Sequence, residues 1–445
     1  MTAFVPLLAP PPLRSVQRAG HISLRPMAHT TRRQQAPRMV AKPENEPDVA
    51  VSSTVERLYD TYPFPPETLL DEAPIGYNWR WHHPSAYSFC TGRIPPPQTK
   101  PLRILDAGCG TGESTSYLVH LNPGAQVTGI DLSAGALKIA EERLRRSVPE
   151  QMERVELLHK SIFDAAELEG QFDHINCVGV VHHTPDPLRA VRALAEKLAP
   201  GGILHIFVYA AHGRWEISLM QRALKLLQNG KHEFEDGVKL GRKVFAALPD
   251  GNRLKKREND RWAQENTKDA TFADMYLHPQ EVDYDIPSLF ELIDQSGLEF
   301  VGFSNPRTWD IKRVLGNDEE ICKRAEGLSE RDLYGLIECL DPEAVTHFEF
   351  FLTKPPLQKY DWKDDATLER ARATMSECIT GWPSNVVMDR DYVPIMLSDG
   401  EREFLEAITK EGGGQIAKAV AETTLNLDGV RLLVQKGVML LAPEE

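Results

Sequence analysis

The chain has 445 residues, with 51 basic and 65 acidic side chains and a formal net charge of −14. That length exceeds one typical domain, so a core with appendages is expected. An acidic body repels phosphate backbones and argues against nucleic acid as the substrate, while six cysteines without C-x-x-C spacing argue against a disulfide framework.

Residues 1–43 hold seven basic residues (Arg14, Arg18, Arg25, Arg32, Arg33, Arg38 and Lys42), no acid, and the run Pro10-Pro11-Pro12. This composition predicts an organellar transit segment, for a plastid first and a mitochondrion second; a disordered basic tail is the plain alternative. Proline interrupts the apolar run Phe4 to Leu8, so neither a secretory segment nor a membrane span is expected there. The remainder carries 44 basic against 65 acidic residues. Residues 44–100 read as a cap arm. Val51 to Tyr59 can form a helix, which Tyr62-Pro63-Phe64-Pro65-Pro66 ends. The aromatic cluster Tyr77 to His83 offers Trp79 and Trp81 either as packing onto the core or as walls for an apolar or cationic ligand. Pro95-Pro96-Pro97 is a stiff spacer into the core.

The core opens on Leu102 to Leu105, an apolar run without strict alternation, as suits a strand buried on both faces. It meets Asp106-Ala107-Gly108-Cys109-Gly110-Thr111-Gly112, and Ser114, Tyr117, Leu118 and Leu121 then follow at helical spacing. Glycines allow the backbone close to a ligand, and the helix start offers unpaired N–H groups to it. Val127 to Asp131 reads as a second buried strand ending in an acid, suited to the ribose diol of a nicotinamide or an adenosyl cofactor. The order D-x-G-x-G-x-G separates these two, because Asp106 repels a diphosphate but suits an ammonium or sulfonium group. With Phe172-Asp173-His174-Ile175, Gly179 to Pro187 and Leu198-Ala199-Pro200-Gly201-Gly202, the pattern resembles the class I methyltransferases that use S-adenosylmethionine, over residues 101–354.

Strands are expected at 102–107, 126–131, 154–158, 173–178 and 202–209, with helices at 113–121, 133–146 and 187–198 between them. Leu298 to Phe303 and Thr346 to Thr353 are late strands, and residues 287–296 and 330–340 read as helices. The resemblance implies a doubly wound, mostly parallel seven-stranded α/β sheet whose late strands form an antiparallel edge hairpin. An insert at about 211–285 has Ile217, Met220, Leu224 and Leu227 at helical spacing, then a polar run, Asn252 to Asp269, expected to be an exposed loop. By analogy it forms a lid over the acceptor; a helical brace is the plain alternative. Residues 355–445 suggest three helices and a short terminal hairpin, resembling a winged-helix module. Its charge is not basic, so a partner or self-association surface is expected ahead of a DNA reader.

The resemblance places Asp106, Gly108, Gly110, Thr111 and Gly112 at the methionine end of the cofactor, and Asp131 with Leu132 at the ribose. Where the family commonly has an Asp for adenine, this chain has Ser161-Ile162, so the contact falls to the Ile162 side chain and amide. Gly179, also expected at the cofactor, precedes His182 and His183, the candidate bases for the acceptor's proton, although a His pair here also commonly packs or caps the next helix. Tyr209 and Arg214, after the fifth strand, are candidates for acceptor contact, Arg214 through a carboxylate. The His pairs at 82/83 and 182/183 lack four ligands with defined spacing, so no metal is expected. The expected activity is methyl transfer to a small, partly apolar molecule, with a protein side chain or a non-catalytic cofactor-binding role as the alternatives.

Overall fold

A computed structural model describes residues 46–97, 99–410 and 413–444. The leader expected at 1–43 lies outside the described residues. Among these residues no helix is long and apolar enough to cross a membrane.

Seven strands form the central sheet: β1 (Arg103–Ala107), β2 (Gln126–Asp131), β3 (Val155–His159), β4 (Phe172–Val178), β5 (Leu198–Tyr209), β6 (Glu299–Phe303) and β7 (His347–Thr353). Their order is β3-β2-β1-β4-β5-β7-β6. The first five are parallel, with Leu105 opposite both Thr128 and Ile175, whereas β7 runs antiparallel to β5 and to β6. The order reverses between β1 and β4, and in such sheets ligands bind beyond the carboxyl ends of the strands at that switch point. Both faces of β1 are covered, so its near-continuous apolar run serves a strand without a wet side. Helix α1 (Glu46–Thr61) and α2 (His83–Thr91) belong to the arm, while α3 (Glu113–Leu121), α4 (Ala134–Ser147) and α5 (Pro187–Lys197) connect strands.

The insert contributes α6 (Trp215–Leu227), α7 (Phe234–Ala247) and a further helix, Asp269–Leu277. Met220 and Leu224 are buried in a cluster with Phe234, Phe272 and Leu58 of α1, so arm and insert share one apolar core. The polar run is not an exposed loop. Residues 253–267 form short helical turns around the buried Glu258, which accepts hydrogen bonds from the Tyr276 hydroxyl (2.5 Å) and the Asn266 amide (3.0 Å). The rest of the run is mostly exposed, as its polarity implies, but it is helical rather than a loop. Glu258 and Asn266 turn inward because polar side chains that satisfy one another can be buried.

The C-terminal region has its own core, including Phe404, Leu405, Ile408, Ile416, Val430 and Leu433. It contains β8 (Arg372–Met375), β9 (Val386–Met388), β10 (Pro394–Met396), β11 (Gly414–Gln415) and β12 (Met439–Ala442), with helices Asp399–Thr409, Ile416–Glu422 and Leu427–Gln435. The three helices were expected, but the terminal hairpin is replaced by a long-range pairing. β12 lies antiparallel to β8, with Leu441 opposite Ala373, and the hairpin is instead β9–β10.

Candidate active site

The glycine loop after β1 is backbone-crowded. Gly108, Gly110 and Gly112 have φ of +79°, +52° and +79°. A Cβ on Gly108 would lie 2.2 Å from Val180 Cγ2, and one on Gly110 would lie 2.3 Å from the Phe64 carbonyl oxygen. Both the conformation and the space therefore demand glycine. The arm itself crosses the loop: Thr111 N–H donates to the Phe64 carbonyl (3.1 Å) and its hydroxyl donates to that of Pro65 (2.7 Å). Arg143 of α4 ties down the same crossing by donating to the carbonyls of Thr111, Glu67 and Thr68.

Asp106 is buried at the end of β1. It accepts from the hydroxyls of Ser114 and Thr115 (2.7 Å each) and from the Asn176 amide (2.8 Å). A carboxylate has about four acceptor sites, so about one remains for an ammonium group. Burial pushes the Asp106 carboxyl up, and these three donors oppose it. Asp131 ends β2 and takes a backbone N–H on each oxygen, from Gly110 and from Ser133, both at 2.8 Å. Burial raises it too, against those two amides. Its remaining lone pairs suit a diol. Leu132 follows, its carbonyl paired with His159 at 2.7 Å. Ser161 caps the turn Ile162–Glu167 by accepting from the Phe163 amide, which leaves the nearly buried Ile162 as the apolar surface at the end of β3. Gly179, at φ +75°, has nothing within 4 Å of where a Cβ would stand. The loop, the acids and the open floor at Gly179 thus form a cradle that fits an adenosyl cofactor with a cationic methionine end.

Beyond β4 and β5, four rings cluster. The His182 ring centroid lies 4.1 Å from that of His183 and 4.2 Å from that of Tyr209, and His183 stacks on His278 at 3.6 Å. His182 is fully buried, and neither of its ring nitrogens has a hydrogen-bond partner among the described residues. His183 Nδ1 pairs with the Gln280 carbonyl at 3.0 Å. Burial holds both imidazoles below the ordinary range, His182 well below it, so both are neutral bases near pH 7. Tyr59 of α1 closes the group from above: its hydroxyl donates to Asp274 (2.9 Å), and its ring is 5.7 Å from that of His278. Sequence reasoning missed Tyr59, Asp274 and His278, although Tyr59 stood in an expected helix and His278 in the expected insert.

Two expectations about acceptor contacts are corrected. Arg214 is not free for an acceptor carboxylate: its guanidinium lies 3.4 Å from the Tyr209 ring centroid, bonds to both Glu281 oxygens at 3.2 Å and is 3.8 Å from Asp283. Burial disfavours its charge, but Glu281, Tyr209 and Asp283 more than offset this, while burial and Glu281 push Asp283 up to about 6. Trp79 and Trp81 do not wall the site. Trp79 is fully buried against Phe89 and Phe351, with Arg390 over its ring at 4.2 Å and its indole N–H donating to Asp391 at 2.9 Å. Trp81 is buried and donates at 3.0 Å to Asn176, the residue whose amide holds Asp106. A polar chain results, running from Asp106 through Asn176 to His205 (2.9 Å), Glu349 (3.2 Å), Arg80 (2.6 Å) and Asp391 (3.4 Å) in the C-terminal module. Asn176, a polar residue inside a buried strand, was the sequence signal for it.

Known proteins resemble this chain in sequence and in fold. The family described as a methyltransferase domain matches residues 105–204. An uncharacterised protein of Synechococcus sp. is 50% identical over 399 residues, covering 89% of this chain and 94% of that protein. Ubiquinone biosynthesis O-methyltransferase of Xanthomonas campestris pv. campestris is 36% identical over 148 residues, 31% of this chain and 56% of that enzyme. The structure of PKMT2 from Rickettsia typhi superposes with a TM-score of 0.56 at 15% identity, over 83% of this chain and 76% of that one, a likeness of fold. The chain belongs to the class I S-adenosylmethionine-dependent methyltransferases. Within that class it is an enzyme that takes its methyl group from S-adenosylmethionine, and it shares nearly its whole length with the Synechococcus protein.

Proposed function

We propose that this methyltransferase modifies a small, partly apolar acceptor in a plastid. The observation that carries the first part is the enclosed ring cluster of His182, His183, Tyr209 and His278, roofed by Tyr59 of the arm and by the insert. A site closed on that side by two elements with a common core favours a ligand that fits inside over a docked protein segment. In this reading Asp106 and the Gly108–Gly112 backbone with Thr111 hold the methionine end. Asp131 and Leu132 meet the ribose, Ser161 and Ile162 the adenine, and Gly179 leaves room beside the transfer path. The cofactor supplies an electrophilic methyl group on a sulfonium. His182, with His183 beside it, would take the proton that the acceptor's nucleophilic atom gives up. Holding the reactants aligned is worth about 7–11 kcal/mol and asks little covalent chemistry of the protein.

Incubating the enzyme with extracts and methyl-labelled S-adenosylmethionine, then separating small molecules from protein, tests this. Label in the small-molecule fraction is expected, and label in protein alone refutes it. The plastid reading rests on the basic, acid-free residues 1–43 and on a full-length relative from a cyanobacterium. A reporter fused to residues 1–43 should reach plastids; a signal confined to the cytosol refutes this part.

A further inference from the structure

The ring cluster has an outer side. Between α6 and the segment 276–281 lies a cleft of about 240 Å³, with Tyr276, His278 and Glu281 among its lining and Arg222, Lys225 and Lys231 around it. The acid lining it is already engaged, because Glu281 accepts from Arg214 at 3.2 Å and from the Gln221 amide at 3.0 Å. Arg222, Lys225 and Lys231, by contrast, have no side-chain partner among the described residues. Lysines on a helix surface are ordinarily a solvated face. Three features separate this group from that default. The cations converge on a concavity, and they do so in a chain whose net charge is −14. The lining also includes His278, 8% exposed, whose Nε2 has no partner among the described residues and whose ring stacks 3.6 Å from His183. One ring therefore separates the cleft from the candidate bases. The volume falls short of the roughly 300–1,000 Å³ that encloses a whole drug-sized ligand, so it suits one polar group rather than a molecule.

We propose that this cleft binds the anionic head, a carboxylate or a phosphate, of an amphipathic acceptor whose other end reaches the His182–His183 cluster. The anion preference stands on the cleft alone, while the direction of the rest of the ligand rests on the small-molecule reading above. The head takes charge-assisted hydrogen bonds from Arg222, Lys225 and Lys231, the role first expected of Arg214, whose own charge Glu281 and Asp283 consume.

Calorimetry on the full chain saturated with S-adenosylhomocysteine tests this with three probes below their micellar concentrations: decanoate, decyl phosphate and decanol. At least one anion should bind saturably and about tenfold or more tighter than decanol, and the tighter of the two identifies the head group. The variant Arg222→Gln/Lys225→Gln/Lys231→Gln alters only exposed positions and should weaken the anion about tenfold, with S-adenosylhomocysteine affinity unchanged as the control for folding. Equal binding of decanol and the anions, or wild-type anion affinity in the triple variant, overturns the proposal. Methyl label found only in protein would overturn the small-molecule reading while leaving the anion result standing, so the two failures are distinguishable.

Discussion

Asp131→Asn is the sharpest probe of the cofactor site. In the wild type each carboxylate oxygen accepts one backbone N–H at 2.8 Å, Gly110 on one side and Ser133 on the other. Asparagine has a single acceptor oxygen, so in either amide orientation its NH₂ faces one of those N–H groups, donor against donor. A ribose diol bound there also loses one acceptor. A hydrogen bond to a charged group contributes about 1.5–3 kcal/mol, so S-adenosylmethionine should bind about ten- to a hundredfold more weakly. Stability should change less, because removing a buried charge relieves the desolvation that raises the Asp131 carboxyl and so offsets part of the lost bonding. The raised carboxyl also sets a pH signature. Wild-type affinity should fall on acidification earlier than an ordinary aspartate would allow, as Asp131 gains a proton and loses an acceptor; the Asn variant should lack that step. Titration calorimetry with S-adenosylmethionine across pH, beside thermal melts, measures both. An Asn variant that melts like the wild type and binds within threefold of it would refute the ribose assignment.

Three further outcomes are expected. His182→Leu replaces a buried imidazole that lacks a protein partner, so its melting temperature should hold or rise while kcat falls about 10²–10⁴-fold; wild-type turnover in the variant would remove His182 as the base. Because burial keeps His182 neutral, wild-type kcat should be flat from pH 6 to 8, and a fall centred near the ordinary imidazole value would contradict this. Burial opposes the Glu349 charge, but Arg80 and His205 hold the carboxyl well below the usual range. Its contribution to stability is thus present above the ordinary glutamate value and lost as pH falls below it. Glu349→Gln leaves Arg80 only Asp391, at 3.4 Å, among the described residues, and should cost about 1.5–3 kcal/mol at pH 7 with a weaker acid dependence; denaturant titrations at pH 7 and below pH 3 check it. Trp79→Ala should cost about 3–5 kcal/mol and speed amide exchange in residues 372–442; unchanged exchange there would show that Trp79 does not anchor the module.

The elements that follow from local pattern were readable before any coordinates. The apolar run into β1 marks a strand buried on both faces. The alternating glycines mark a turn that no side chain fits, and Asp131 marks the end of β2, because each depends on period, sterics or charge within about ten residues. What escaped was decided by partners far along the chain. Arg214 read as a free cation until Glu281 and Asp283, 67 and 69 positions later, enclosed it. Trp79 read as packing ahead of a ligand wall, and only Asp391 and Arg390, over 300 positions on, make it an anchor. The run 252–269 is mostly exposed, as its polarity implies, yet its Glu258 and Asn266 turn into the interior, where Glu258 accepts from Asn266 and from Tyr276 of the next helix. β12 found β8 rather than a neighbouring strand. A residue's own chemistry sets which groups it can bond, but which group neutralises a charge or covers a ring is a choice among distant segments. That choice is made by packing, which the local pattern does not encode.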